Sequence, residues 1–403
     1  MGSAGKNRSI LIVVENLPVP FDRRVWMEST TLRDAGYTVS VISPTGKGYE
    51  KTYEVIDGIH VYRHKLPPEH SSALGYLREY SSALWNEWRL ARKAFKEHRF
   101  QTFHACNPPD LIFIVALWFK LFHGVKFLFD HHDLTPELYE SKFNKLGFFY
   151  HCMKISERMT FELASKVIST NQSYKNVAIE RGKKSPSDVH IVRSGPNLEK
   201  FKPVPPDPTY FNNRKYLVGY MGVMGEFDGV DHLVRAAEVL VKAKGREDIQ
   251  FCFVGSGPCF EELKQLAADL GIADHVEFCG RVSDEEMIAR LSSCDVCVDC
   301  DPLNALNDKC TMNKILEYMA LKRPIVQYDL TEGRLSAQEA SIYAEPNNIE
   351  DLAAKMEELL ADEPRRKTMG EYGAKRMADE LEWRHQMPKL LHAYDELFKL
   401  VEK

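Results

Sequence analysis

The sequence lacks any apolar run long enough to cross a bilayer. Its most apolar stretch, LIFIVALWFKLF at residues 111–122, is interrupted by Lys120. It falls short of the ~18 apolar residues a spanning helix needs, so the chain is expected not to be integral to a membrane. There is no extended basic run either, and the formal net charge is −5. That argues against a dedicated nucleic-acid binder. The opening MGSAGKN does not have the pattern of a signal peptide and reads as an expression scar or a flexible tip. Nine cysteines are an odd number, and many sit inside strand-like or helix-like runs. This suits a reducing cytoplasm, where cysteine acts as a small buried hydrophobe. Cys294, Cys297 and Cys300 open with the spacing of an iron–sulfur run. Cys310 comes too late to complete it, no Cys-Pro follows, and DVCVD reads as a buried strand, so no cluster is expected.

What the sequence does have is alternation. With 44% hydrophobic and 28% charged residues among 403, it is an ordinary globular chain of about two or three domains. In the first half, strand-like runs fall at residues 10–14, 38–42, 60–63, 102–105, 125–129, 166–170 and 190–193. Helical patterns lie at 24–35, 73–97, 111–122, 145–164 and 174–181. Prolines at 203, 205, 206 and 208 then mark a linker over 201–208. Behind it the pattern restarts, with strands at 216–221, 250–254, 275–278, 296–299 and 324–327. Helices lie at 230–244, 260–270, 284–292, 313–321 and 349–360, and the tail from 363 is helical. Short apolar strands alternating with helices mean parallel sheets with crossover helices. The expectation is an α/β chain of two Rossmann-like doubly wound domains, 1–200 and 209–382, facing a central cleft at the carboxyl ends of their strands, where such sheets bind ligands.

Several stretches carry chemistry. NALNDKCTMNKILEYMA, residues 304–320, opens a helix near Thr311, Met312 and Asn313, whose free N–H groups suit a phosphate. Thr311 or Asn313 could cap it. Lys314 in the first turn opposes the helix dipole unless an anion binds there, and Glu317 one turn on can accept two sugar hydroxyls. The plain alternative is an amphipathic helix with a Lys–Glu pair. VGSGP (254–258) is a tight strand-to-helix turn. GYMGVMGEFDG (219–229) is a richer one, with Gly222 and Gly225 among its four glycines. It matches neither G-x-G-x-x-G nor a P-loop, so neither dinucleotide nor ATP binding is supported. In PVPFDRRVWME (18–28), Asp22 can cap a helix whose first turn holds Arg23 and Arg24. Arg24 either pairs with Glu28 or reaches across the cleft to a phosphate. FLFDHHDLTPE (127–137) places Asp130, His131, His132 and Asp133 at the carboxyl end of a strand. Such a cluster can bind a metal, cut a phosphodiester or handle protons beside a sugar.

Taken together and in order, these motifs resemble glycosyltransferase family 4, with its GT-B fold. PVPFDRR, DHHDLTPE, SGPNLEKF, GYMGVMGEFDG, VGSGP, FCGRVSDEEM, KILEYMALKRPIV and the helix from Trp383 carry the likeness over nearly the whole chain. The resemblance implies a retaining hexosyltransferase that moves a sugar from a UDP- or GDP-sugar to a hydroxyl of a glycan or lipid-linked acceptor. Polysaccharide or glycolipid assembly at the cytoplasmic side is the implied setting, with no metal or other cofactor and no nucleic acid. It also implies that residues 383–403 cross back to the first domain. By position, Glu317 would bind the donor ribose. The turn from Cys279 to Ser283, with Gly280, Arg281 and Val282, would hold the base. Thr311, Met312, Asn313 and Lys314 would face the diphosphate. His132 would lie beside the donor sugar, with Asp130 and Asp133 flanking it; Asp22, Arg23 and Arg24 would serve the acceptor or phosphate side. The segments 141–154 and 76–96, which mix basic and aromatic residues, fit an interfacial helix or a core-packing amphipathic one.

Two departures from the family stand out. Where many members have the first glutamate of E-x7-E, this chain has Lys309, with Asp308 beside it as a substitute. The arginine and lysine of G-R-x4-K-G are Val223 and Asp228. A diphosphate without cations is costly in a dry site, so Arg24, Arg23, Arg281, Lys309 and Lys314 become the candidate replacements, Arg24 foremost. Two rival readings remain open from sequence. One is a GT-B epimerase, phosphorylase or degenerate binding module. The other is a metal-dependent phosphoesterase of the DHH type, although the early aspartate pair that type needs is reduced to Asp22.

Overall fold

The computed structural model describes residues 8–65, 73–108, 110–143 and 146–401. The segment 1–7, the side chains of 76–80, 142 and 143, and positions 144–145, all parts of stretches read from sequence above, lie outside what it describes. The chain divides into two compact units, one running to Arg193 and resuming at Gln386, the other spanning Ser194–His385.

The first unit is built on eight strands: β1 (Ser9–Val13), β2 (Thr38–Pro44), β3 (Tyr53–Ile56), β4 (Ile59–His64), β5 (Thr102–Cys106), β6 (Lys126–His131), β7 (Lys166–Ser169) and β8 (Val189–Ile191). Their order is β3-β4-β2-β1-β5-β6-β7-β8. All neighbours run parallel except β3 against β4. SILIV in β1 is buried at every position, as a central parallel strand covered on both faces must be. Six helices connect the strands: α1 (Arg23–Asp34), α2 (Ala73–His98), α3 (Phe113–His123), α4 (Thr135–Phe143), α5 (Phe148–Leu163) and α6 (Gln172–Glu180). Asp22 caps α1 by accepting from the Val25 amide at 3.0 Å.

Three elements depart from the sequence expectation. β3 was not anticipated, although Asp57-Gly58, both at positive φ, is a strong two-residue hairpin signal. α4 begins at T-P-E, where proline suits a first helical turn. A helix expected over 145–164 starts only at Phe148.

The second unit contains β9 (Tyr216–Met221), β10 (Ile249–Val254), β11 (Val276–Gly280), β12 (Val296–Asp299), β13 (Ile325–Tyr328) and β14 (Ser341–Ala344). They are ordered β11-β10-β9-β12-β13-β14 and are all parallel. The strand order therefore reverses between β9 and β12, the switch point where such sheets bind ligands. Helices α7 (Val230–Glu238), α8 (Phe260–Asp269), α9 (Asp284–Ser293), α10 (Asn313–Ala320), α11 (Thr331–Ala337), α12 (Ile349–Ala361) and α13 (Glu363–Arg376) cover both faces, and α14 (Trp383–Val401) ends the described chain. One core layer joins Val218, Phe251 and Val298 to α7 and α12. The other joins Leu217, Cys252 and Cys297 to α9 and α10.

The proline run is not a free linker. The Val204 and Asp207 amides donate to Ser292 and Ser293 at 3.2 and 2.9 Å, which ties the run to the end of α9. The unit boundary falls upstream, at Arg193. The return begins at Gln386 rather than Trp383. The Gln386 side chain accepts from the Arg193 amide at 3.2 Å, and Tyr394 and Phe398 reach Tyr37.

Candidate functional site

In the first unit the DHHD cluster sits where β6 ends. Its first three residues have different fates. Asp130 is fully buried and takes Arg24 Nη2 on Oδ1 at 2.8 Å and Arg24 Nε on Oδ2 at 3.2 Å. Burial alone would raise its carboxyl. The Arg24 and His132 charges and hydrogen bonds outweigh that and hold it well below the carboxylate range. His131 is buried among Phe129, Phe161 and Tyr174. Its ring nitrogens have no hydrogen-bond partner among the described residues, and burial drives its pKa down to about 3. His132 keeps 16% of its side chain exposed, with Nε2 at 2.5 Å from Asp130 Oδ2.

Arg24 Nε also approaches His132 Nε2 at 2.8 Å. Both contacts cannot be hydrogen bonds to that nitrogen, since one needs its lone pair and the other its proton. The ionised Asp130 takes the proton, and Arg24 Nε is served by the same carboxylate. His132 Nδ1 has no partner among the described residues and is the ring atom left to a ligand.

The loop's shape comes from Asn107, which sequence reading missed. Its Oδ1 accepts from the His132 and Asp133 amides at 2.8 and 3.2 Å, and its Nδ2 donates to the Asp133 carbonyl at 2.7 Å. Asparagine at a strand end is a common organiser of backbone turns, so C-N-P-P-D carried the signal. Burial pushes Asp133 up.

Arg24 departs from expectation. It is 8% exposed and spends its guanidinium on Asp130, on Glu28 at 3.1 Å and on the Val192 carbonyl at 2.8 Å. It cannot reach a diphosphate without abandoning two buried acids, so the role of foremost replacement cation is withdrawn. Arg23 is exposed. Asp22 is the cap of α1.

In the second unit three segments meet at the switch point. Gly222, after β9, has room for a β-carbon only by displacing the Tyr220 hydroxyl, and Lys314 Cε lies 3.5 Å from the same point. VGSGP explains itself here. A β-carbon on Gly255 would lie 1.9 Å from the Gly222 carbonyl, and one on Gly257 about as close to the Met224 backbone as 2.5 Å. These glycines let two loops touch backbone to backbone.

The position of the missing lysine is also accounted for. Asp228 Oδ2 accepts from the Gly225 amide at 2.8 Å and so shapes the loop. Val223 is 60% exposed. α10 begins with Met312 as its cap residue and no side-chain cap bond, so neither Thr311 nor Asn313 caps it. Asn313 is exposed and Thr311 and Glu317 are half-buried.

Lys314 turns inward. It bonds Asp301, lies 3.2 Å from Asp299 and sits over the Tyr220 ring. Burial and the neighbouring Asp299 push Asp301 well up. The Lys314 ammonium is met by this pair of acids. Asp299 and Asp301 were not anticipated as site residues; D-C-D at a strand end was their signal. Asp308 Oδ1 accepts from the Thr331 amide at 2.8 Å at the start of α11, which leaves its Oδ2 for a further donor. Lys309 is half-buried. Gly280 takes a positive φ of 66° at the end of β11, Arg281 is exposed and Val282 packs on the core.

Ligand atoms of Glu28, Asp130 and His132 converge, as do those of His104, Cys106 and Asp130. Arg24 already places a cation on the shared Asp130, which opposes a divalent ion there and removes the free carboxylate that a DHH-type phosphoesterase needs. Cys294, Cys297, Cys300 and Cys310 form no converging ligand group among the described residues.

The segments suggested for an interface are mixed. α2 buries Ala83, Glu87, Leu90, Ala91 and Ala94, yet leaves Trp85 61% exposed. Leu121 and Phe122 of α3 and Phe148 of α5 are also exposed. A chain of rings runs Trp85–Trp88–Trp118–Phe122, with Arg92 over the middle two. No helix among the described residues is long and apolar enough to cross a membrane.

Comparison with known proteins covers both units. Residues 22–200 match the model described as Glycosyltransferase Family 4, and residues 206–376 match Glycosyl transferases group 1. The alpha-maltose-1-phosphate synthase of Mycolicibacterium smegmatis is 24% identical over 68% of this chain and 74% of its own length. The GDP-mannose-dependent alpha-(1-6)-phosphatidylinositol monomannoside mannosyltransferase of the same organism is 29% identical over 40% of this chain and 43% of its own. Among solved structures, sucrose-phosphate synthase from Thermosynechococcus elongatus superposes with a TM-score of 0.78 at 18% identity, covering 98% of this chain and all of its own. Anabaena HepE with UDP and glucose gives 0.72 at 14% identity, covering 97% and 100%.

Proposed function

The chain belongs to the family 4-like glycosyltransferases of GT-B fold, and from that premise we propose that it moves a hexosyl group, with retention, from a nucleoside-diphosphate sugar to an acceptor hydroxyl. The observation that carries this reading is the convergence at the β9/β12 switch point. There Gly222, the start of α10 without a side-chain cap and Glu317 stand together on a frame clamped by Lys314, Asp299 and Asp301.

A helix start of this kind offers N–H groups to a diphosphate. Glu317 accepts the ribose hydroxyls, and the turn at Gly280 to Val282 takes the base. The exposed Arg281 and half-buried Lys309 are the cations proposed to meet the phosphates. On the first unit His132 offers Nδ1. With its proton on Nε2 that atom is an acceptor, which suits a donor-sugar hydroxyl. Asp130 and Arg24 fix the ring, and Asp133 with Asn107 fixes the loop. This chemistry needs no metal ion.

The relatives' names include both UDP-linked and GDP-linked chemistry, and both donors stay in the proposal. A lipid-linked or glycan acceptor at a membrane surface is favoured by the aromatic chain from Trp85 to Phe122 with Arg92 laid over it. Rings with a polar tip and a basic neighbour suit the headgroup region. Polysaccharide or glycolipid assembly at the cytoplasmic leaflet is the setting we propose.

Calorimetric titration of UDP, GDP and ADP, with and without EDTA, tests the reading. One nucleotide should bind regardless of EDTA, and Glu317→Ala should weaken it about tenfold, the loss of a pair of charge-assisted hydrogen bonds. Binding by none of the three, or binding abolished by EDTA, overturns it.

A further inference from the structure

The second unit holds a pair of thiols that the proposed reaction does not use. Cys252 of β10 and Cys279 of β11 are both free, and their sulfurs lie 3.5 Å apart. They share one face of the sheet, where both pack on the core layer of α9 and α10. Cys252 is 1% exposed and Cys279 is half-buried, so Cys279 is the sulfur that a reagent in solution reaches first.

The backbone is irregular here. Phe253 pairs with Phe278, and Val254 pairs with Gly280. Cys279 is thus the extra residue of a β-bulge, where the ladder is interrupted. Just beyond it the Gly255 amide donates to the Gly280 carbonyl at 2.9 Å. Gly280, at φ 66°, opens the turn that continues through Arg281 to Val282. A movement of Cys279 toward β10 is therefore passed to that turn.

Charge favours a reactive thiol pair over a metal site. The Glu277 carboxylate converges on the two sulfurs. Arg290 of α9 bonds that carboxylate at 2.9 Å, lies 3.8 Å from the Cys252 sulfur and stacks on the Tyr210 ring. Such a cation opposes a divalent ion and stabilises a thiolate. The hydrogen bond to Cys252, and then burial, push the Cys279 thiol up. Once the pair has lost one proton, the other therefore stays between the two sulfurs. Its passage across the gap puts the negative charge on Cys279.

We propose that Cys252 and Cys279 are an oxidative modification site: they form a reversible disulfide by exchange with low-molecular-weight disulfides such as glutathione disulfide, and the bond displaces the turn at Gly280 to Val282. The Cys279 thiolate attacks one sulfur of the small disulfide. That S–S bond breaks, the leaving thiolate takes up a proton, and a mixed disulfide remains on Cys279. Cys252, already beside it, gives up its proton, attacks the Cys279 sulfur and expels the second small thiol. Two protein thiols and one small disulfide become one protein disulfide and two small thiols, with no other reactant. A disulfide bond is about 2.05 Å long, so the gap must close, and the bulge is where the ladder yields. The effect on nucleotide binding rests on the function proposed above, which gives this turn to the base; the bond itself does not.

The test equilibrates the full chain in glutathione buffers from fully reduced to fully oxidised, blocks the remaining thiols and maps linked peptides by mass spectrometry. A Cys252–Cys279 link should form and be reversed by dithiothreitol. Cys294 and Cys297, both fully buried, should stay reduced. Cys252→Ala should stop at the mixed disulfide, with glutathione held on Cys279. Affinity for the nucleotide that the reduced protein binds should fall about tenfold on oxidation, as for one hydrogen bond to the base left unmade, and recover on reduction. Cys152→Ser, at a half-buried cysteine of α5 in the first unit, should keep this response.

No Cys252–Cys279 link in the wild type under fully oxidising conditions overturns the inference, and that needs no variant to fold. So does a link that leaves nucleotide affinity unchanged, a fall in affinity that Cys152→Ser abolishes, or a Cys252→Ala chain that takes up no glutathione at Cys279. A reduced wild type that binds no nucleotide counts against the proposed function, and the peptide map then still decides the bond.

Discussion

Three consecutive residues, Asp130, His131 and His132, show how little a motif's letters say about roles. Asp130 is a buried hub for donors. His132 presents a ring nitrogen outward. His131, between them, points into aromatic packing, and this has a measurable cost. Its folded pKa of about 3 lies below the ordinary value near 6.5. Between those values the unfolded chain binds a proton that the folded chain does not, so stability falls as pH drops through that window. At pH 5 the loss relative to pH 7 is about 2 kcal/mol. His131→Phe should remove it. Denaturant midpoints at pH 7 and pH 5 should lie closer together in the variant than in the wild type, and an equal gap would show that His131 is not the source. Arg24 teaches the converse lesson. Its pairing with Glu28 was open from spacing alone, and so was a reach to phosphate. What excluded the second was a carboxylate 106 residues away.

At the scale of elements, the loops of the second unit explain the two departures from the family pattern. Asp228 stands where many members have lysine, and its carboxylate holds the Gly225 amide. Val223 stands where they have arginine and is exposed. The two positions therefore differ in what restoring a cation would do. Val223→Arg should tighten binding of the cognate nucleoside diphosphate about fivefold, the worth of one charge-assisted bond at a partly exposed site. Asp228→Lys should not tighten it, because the loop loses its brace. Calorimetry with the nucleotide that the wild type binds decides; tightening by Asp228→Lys would show that the brace does not matter.

Much of this level was legible in sequence. β9 and β12 ran where the apolar runs lay, since a strand buried on both faces needs such a run. β3 was missed because its half-exposed pattern has no apolar run, despite the Asp57-Gly58 turn. The inward turn of Lys314 was not legible, because Asp299 and Asp301 sit on another strand end and nothing local links them to α10.

For the molecule as a whole, the return of the chain to its first unit is the consequential feature. Leu390, Tyr394, Leu397 and Phe398 are all buried, each worth roughly 1.5–3 kcal/mol. Deleting residues 386–403 should destabilise the first unit by several kcal/mol, of order its whole margin. The second unit, Ser194–His385, should keep its own transition. Scanning calorimetry should show one cooperative transition lost or strongly lowered and the other kept; two unchanged transitions would contradict this.

The sequence by itself determined the class of the molecule: two parallel α/β sheets, their strands, the loops at the strand ends, and the resemblance that names the chemistry. These follow from local periodicity and from the order of motifs, which a linear chain states directly. Tertiary structure alone decided which charges are available. Arg24 and Lys314 look alike on paper as cations awaiting phosphate, and both are neutralised by acids from distant strands. A buried charge must find its partner, and the partner's identity depends on where separate strands end in space.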